Sequence, residues 1–105
     1  YQIAEKEGLT IIQAHPFRSV CFPADPECLH GIEIFNGNPR HDSHNDLARA
    51  LAEQAGLPGT AGSDFHQVQD LASCCVGFEK LPGDGQELAE AIRQGRFTRE
   101  IFRGI

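Results

Sequence analysis

The spacing of apolar and polar positions changes several times along the chain, and each change predicts an element. Residues 1–8 (YQIAEKEG) read as the closing turns of a helix stopped by Gly8. Residues 9–14 (LTIIQA) are apolar and β-branched, which predicts a short strand. His15-Pro16 closes it, because proline has no N–H to give to a ladder. Residues 17–30 carry Pro23, Pro26, Cys21 and Cys28 and predict an irregular stretch with a helical turn. GIEIFN at 31–36 is a second strand, and Gly37-Asn38-Pro39 is turn chemistry. Asp42 or Ser43 is the expected cap of a helix running to Ala55, with Leu47, Ala48, Leu51, Ala52 and Ala55 on one face and Gly56 at its end.

Small residues at 59–63 (GTAGS) form the next expected strand, and Cys74–Phe78 another. Pro82-Gly83-Asp84-Gly85 opens a helix bearing Leu88, Ala89, Ala91 and Ile92, and Gly95 closes it. Residues 97–102 fit a last strand. The strand–helix–strand order at 31–63 is the grammar of parallel α/β structure, where functional side chains gather at the ends of the strands.

Composition narrows this only modestly. A length of 105 residues fits one small domain or a piece of a larger one, and the start at Tyr1, close to a helix end, points to a fragment. The formal charge of -6 argues against a broad nucleic-acid or anionic-membrane surface, both of which reward basic patches, while leaving a local contact with nucleic acid open. No apolar run approaches the roughly 20 residues of a membrane span, and no charged-then-apolar leader precedes the first helix. A cytoplasmic protein with reduced thiols is therefore expected; adjacent Cys74 and Cys75 resist bridging each other.

The candidate chemistry sits at the predicted strand ends. Asp64-Phe65-His66, read as extended chain, places both polar side chains on one face about 6.5–7 Å apart, close enough to hold one metal ion or two neighbouring ones. His15 ends the first strand in the same way. Arg18 lies just past it and has the fork of donors that suits a phosphate. Alternation along GIEIFN sends Glu33 and Asn36 to opposite faces, so only Asn36, nearer the end, is assigned to the site. A separate zinc site from His15, Cys21, Cys28 and His30 is disfavoured by a cysteine spacing wider than a zinc knuckle. His41 and His44 stand on a polar segment and read as solvated.

AHPFR at 14–18, GIEIFNGN at 31–38, LAEQAGLPGTAGSDFH at 51–66 and ELAEAIRQGRF at 87–97 together resemble the second half of the PHP domain, the polymerase and histidinol phosphatase family of phosphoesterases. The resemblance implies an α/β fold: the C-terminal segment of a distorted seven-stranded TIM-like βα barrel, with mainly parallel strands and flanking helices. By motif position it implies that His15, Asp64 and His66 ligate divalent ions (zinc, manganese or iron), with Asp64 and His66 at the catalytic centre; the assignment of Arg18 and Asn36 to the substrate rests on their own chemistry and position. Such ions suit imidazole and carboxylate, and lower the pKa of a bound water.

The family's N-terminal half carries a His-x-His pair and further ligands, and no His-x-His occurs here. Residues 1–105 are therefore expected to be the C-terminal part of one such domain, inactive alone. The expected partners are the missing half, or a second copy at the open barrel edge, and a small phosphorylated substrate or nucleotide. The alternatives are a non-catalytic structural or interaction module of the same type, and an amidohydrolase-like metal enzyme on a similar rim.

Overall fold

A computed structural model describes residues 1–102. Helix α1 (Gln2–Glu7) ends at Gly8, whose φ of 70° provides the left-handed turn that a side chain would resist. Strand β1 (Ile12–Gln13) pairs in parallel with β2 (Gly31–Asn36), and β2 pairs in parallel with β3 (Gly59–Gly62). Helix α2 (Asn45–Ala55) is the crossover between β2 and β3. It buries Ala48 and Ala52 against Leu29, Ile32 and Ile34, with Ile11, Phe17, Leu51 and Leu57 packed around them. This one-sided core fixes the sheet and leaves the ends of its strands free to build a site.

Strand β4 (Cys74–Gly77) follows β3, helix α3 (Gly85–Arg93) comes next, and β5 (Thr98–Ile101) closes the described chain. The sequence placed all of these elements. It expected mainly parallel strands, but β5 runs antiparallel to β4 in a separate two-stranded sheet. Residues 78–97, with α3 inside them, connect the two strands, and Gly95 turns the chain with a φ of 72° just before β5. The Arg99 guanidinium donates to the Gly59 carbonyl at 2.9 Å and ties this pair to β3. The described residues thus form a small α/β structure with a three-stranded parallel sheet.

Two local expectations fail. The first strand shrinks from six residues to two, Ile12–Gln13. Its pairing with β2 starts at the Ile11 carbonyl, which accepts from the His30 and Gly31 N–H groups, and upstream of it Thr10 Oγ1 donates to the Ala89 carbonyl at 2.9 Å. Neither Asp42 nor Ser43 caps α2; the cap position is His44, with a φ of 48° and no side-chain cap bond. Asp42 Oδ1 accepts from the His44 N–H instead, and the Ser43 hydroxyl is engaged elsewhere. On the predicted apolar face of α2, Leu47 and Ala55 are exposed, and the buried contacts run through Ala48 and Ala52.

Among the described residues, no helix is long and apolar enough to cross a membrane. The four cysteines form no disulfide.

Candidate functional site at the ends of the parallel strands

Three adjacent strands end at one place. His15 stands two residues beyond β1, Asn36 is the last residue of β2, and Asp64 stands two beyond β3. Both flanking residues leave the strand through an unusual backbone, with φ of 28° at His15 and 48° at Asp64. Aspartate tolerates this region better than histidine does, and such conformations persist only where surrounding bonds enforce them. The enforcing bonds at His15 are visible: its N–H donates to Glu33 Oε1 at 3.0 Å.

Glu33 is the residue that the sequence reading excluded. Asn36 Nδ2 donates to its Oε1 at 2.9 Å, so the two side chains share one face. The reason is a β-bulge: Glu33 pairs with Thr60 and Phe35 with Ala61, which leaves Ile34 as an extra residue between them. One added residue resets the alternation, so positions three apart coincide. A carboxylate in the middle of the apolar run GIEIFN was the available signal.

Asn36, 3% exposed, is the hub. Its Oδ1 accepts from Arg18 Nη2 at 2.9 Å and from the Asn38 N–H at 3.0 Å, while its Nδ2 also reaches Asp64 Oδ2 at 3.3 Å. The Arg18 guanidinium closes the network. Nη2 lies 3.0 Å from Asp64 Oδ2, and Nη2 and Nε approach Ser43 Oγ at 2.9 and 3.3 Å. Partial burial pushes the Asp64 carboxyl upward, but the hydrogen bonds from Arg18 and Asn36 and the Arg18 charge outweigh it, so it sits below the usual aspartate range.

His66 is oriented rather than buried. Its Nδ1 lies 2.9 Å from the Asp64 carbonyl, which can only accept, so Nδ1 is the donor in this contact and Nε2 is left facing outward from it. A metal-binding histidine is held by this kind of bond. The extended-chain argument for Asp64 and His66 does not hold, since β3 stops at Gly62 and Asp64 turns left-handed. The loop brings them together in another way, with Nδ1 at 3.8 Å from Asp64 Oδ1.

The loop itself is clamped by residues that sequence reasoning passed over. Buried Asp70 accepts from the Arg40 guanidinium and from the Gln67 and His66 N–H groups. The Arg40 hydrogen bond is the main reason its carboxyl is lowered, against the opposing effect of burial. Asn38 Nδ2 adds a bond to the Asp64 carbonyl at 3.2 Å.

The donors for a divalent ion fall into two pairs. Asp64 and His66 form one; His15 Nδ1, 3.7 Å from Cys21 Sγ, belongs to the other. Among the described residues, no three His, Cys, Asp or Glu side chains gather into a group that could hold a metal ion. The residues present therefore do not complete a metal centre, and the Asp64 carboxylate already faces a cation in Arg18.

Beside the network, an open polar cleft of about 580 Å³ is lined by Asn36, Asn38, Arg40, His41, Ser43 and others. A larger cleft of about 1210 Å³ lies between Gly77–Pro82, α3 and Phe97 and touches none of these residues. Chemistry decides between the two, since only the smaller one meets the network.

A family model described as PHP-associated matches residues 42–97, which covers α2, β3, the Asp64–His66 loop, β4 and α3. No curated protein and no solved structure matches the chain.

Proposed function

Because the chain belongs to the PHP-associated family, we propose that it is the C-terminal part of a PHP-type domain that hydrolyses phosphoesters with divalent metal ions. One observation carries this reading: His15, Asn36 and Asp64 leave three neighbouring parallel strands and enter one polar network with Arg18. Ends of parallel strands are where α/β folds place their chemistry. In this reading β1, paired on one side only, continues into further strands of a seven-stranded TIM-like barrel, and the absent segment supplies the remaining ligands.

Zinc, manganese or iron would supply an activated water in the completed domain. This chain contributes the Asp64 carboxylate and an oriented His66, with His15 on the neighbouring strand end. Arg18 and Asn36 supply donors next to the cleft of about 580 Å³, a size that suits a small phosphorylated molecule or nucleotide. The acidic balance of the chain favours a small substrate over nucleic acid. The partner is the complementary segment or a second copy at the β1 edge, and the domain works in the cytoplasm.

A second reading, a non-catalytic module, draws support from the incomplete donor set and from Asp64 being neutralised by Arg18. One experiment separates the two. Hydrolysis of p-nitrophenyl phosphate and bis(p-nitrophenyl) phosphate is measured with manganese or zinc, for the chain alone and with a polypeptide carrying the His-x-His half. The expected result is no turnover alone, turnover in the reconstituted pair, and a loss of about 100-fold or more with Asp64→Asn. A folded pair without activity, or one indifferent to Asp64→Asn, would refute the hydrolase reading.

A further inference from the structure

We infer that Asn36-Gly37 is a deamidation site that the fold holds shut, so that opening of the strand-end network exposes its hub to an irreversible covalent change. The inference goes beyond the hydrolase reading and stands without it. Asparagine followed by glycine is the pairing most open to this reaction, because glycine carries no side chain to hinder its nitrogen from reaching the asparagine amide. The Gly37 nitrogen bonds to Asn36 Cγ, the Cγ–Nδ2 bond breaks, and the Gly37 proton leaves with the amide nitrogen as ammonia. Water then opens the cyclic imide at either carbonyl and leaves an aspartyl or an isoaspartyl link.

The structure explains why the pair stands here despite this liability. A Cβ on Gly37 would meet Ser73 Oγ at 2.7 Å and Cys74 Sγ at 2.9 Å, so the chain beside β4 leaves no room for a side chain. Asn36 uses both ends of its amide. Oδ1 accepts from Arg18 Nη2 and from the Asn38 N–H, while Nδ2 donates to Glu33 Oε1 and Asp64 Oδ2. Both lone pairs and both N–H groups are thereby engaged.

The same bonds hold the reaction off. Attack requires the Gly37 nitrogen to give up its proton and swing onto Cγ. In the fold the Gly37 N–H donates to the Gly62 carbonyl at 2.9 Å, and the Asn36 side chain is pinned in a buried position. Asn45 fixes the Asn36 backbone from the other side: its Oδ1 accepts from the Asn36 N–H at 3.0 Å and its Nδ2 donates to the Asn36 carbonyl at 3.4 Å. Reaction therefore waits on a local opening that parts the end of β2 from β3. Afterwards a carboxylate oxygen stands where Nδ2 donated, facing Glu33 and Asp64. The like charges then oppose reclosure of the network.

Peptide mapping by mass spectrometry tests this by following the Asn36 amide in the full chain at mildly alkaline pH, folded and in guanidinium chloride. Loss at Asn36 is expected to be at least about tenfold slower in the folded chain, because only the opened population reacts. Asn45→Ala, shown by circular dichroism to be folded, is expected to lose the amide severalfold faster than the native chain; Glu53→Ala, exposed on the same helix, is expected to keep the native rate. Equal rates in the folded and denatured native chain overturn the inference, as does a folded Asn45→Ala that ages no faster than native. Asn36→Asp installs the product's carboxylate directly and is expected to unfold at a lower urea midpoint than the native chain; an unchanged midpoint overturns the proposed damage to the network. None of these readouts involves turnover, so this inference and the hydrolase reading fall separately.

Discussion

The bulge in β2 is what brings Glu33 to Asn36, and Gly59→Ala tests whether it is built as described. A Cβ placed on Gly59 would meet Ile34 Cδ1 at 2.6 Å and both Ile34 Cγ1 and Cγ2 at 2.8 Å. Ile34 is the extra residue of the bulge and is buried in the core. Its Cδ1 can swing aside, but Cγ1 and Cγ2 both branch from Cβ, so rotation about χ1 exchanges one clash for another. The strands must part locally or Ile34 must leave its rotamer, an overpacking that typically costs about 1–3 kcal/mol. Against this stands a gain of about 0.4–1 kcal/mol from the stiffer unfolded chain, available because Gly59 does not use a positive φ. The net expectation is a loss of about 1–2 kcal/mol.

Urea unfolding reads this directly, as a lower midpoint at unchanged slope. Pairing the variant with Ile34→Ala makes the attribution specific. The single Ile34→Ala change costs about 2–5 kcal/mol through its cavity, and in that background Gly59→Ala meets none of the three atoms. A coupling of about 1–3 kcal/mol between the two sites is expected, as for residues in direct contact. Gly59→Ala proving neutral or stabilising, or costing the same in both backgrounds, would show that Ile34 does not sit over Gly59. The shared face of Glu33 and Asn36 would then lose its cause.

Two further outcomes follow from the polar bonds. The Asp64 and Asp70 carboxyls lie below their ordinary range in the folded chain, so the stability they contribute is present above about pH 4 and is lost as pH falls through the folded values. Thermal melts from pH 2 to pH 7 should show this acid loss, and Asp70→Asn should be less stable at neutral pH and less sensitive to acid. An equally steep acid loss in Asp70→Asn would remove Arg40–Asp70 as its cause. His30→Ala leaves the half-buried Ile11 N–H without the His30 Nδ1 acceptor, 2.9 Å away, and removes the bond to Glu5; a loss of about 1–3 kcal/mol in urea unfolding is expected. A loss below about 0.5 kcal/mol would mean that water replaces both bonds.

Local signals placed the elements well because each rests on neighbours in sequence. Gly8, Gly56 and Gly95 end their helices with φ of 70°, 68° and 72°, and the Asp84 side chain caps α3 by accepting from the Glu87 N–H. What stayed hidden depends on registers that a one-dimensional pattern cannot carry. The alternation that put Glu33 out of the site is sound for a regular strand, and a single extra residue inverts it. Arg18 was assigned to a substrate because of its chemistry, but the residues that receive it, Asn36, Ser43 and Asp64, lie 18, 25 and 46 positions away. Ser43 was read as a helix cap for the same local reason, and its hydroxyl serves the guanidinium instead.

These corrections point the same way. The residues that sequence reasoning assigned to a metal, a substrate and a helix start are bonded to one another, through one buried asparagine, at the ends of three strands. A site whose charges are already paired does not advertise an empty cradle for an ion. Its Asp64 carboxylate already has a cation in Arg18 and a donor in Asn36. Identifying the donors is thus a matter of sequence, while deciding whether they are available is a matter of geometry.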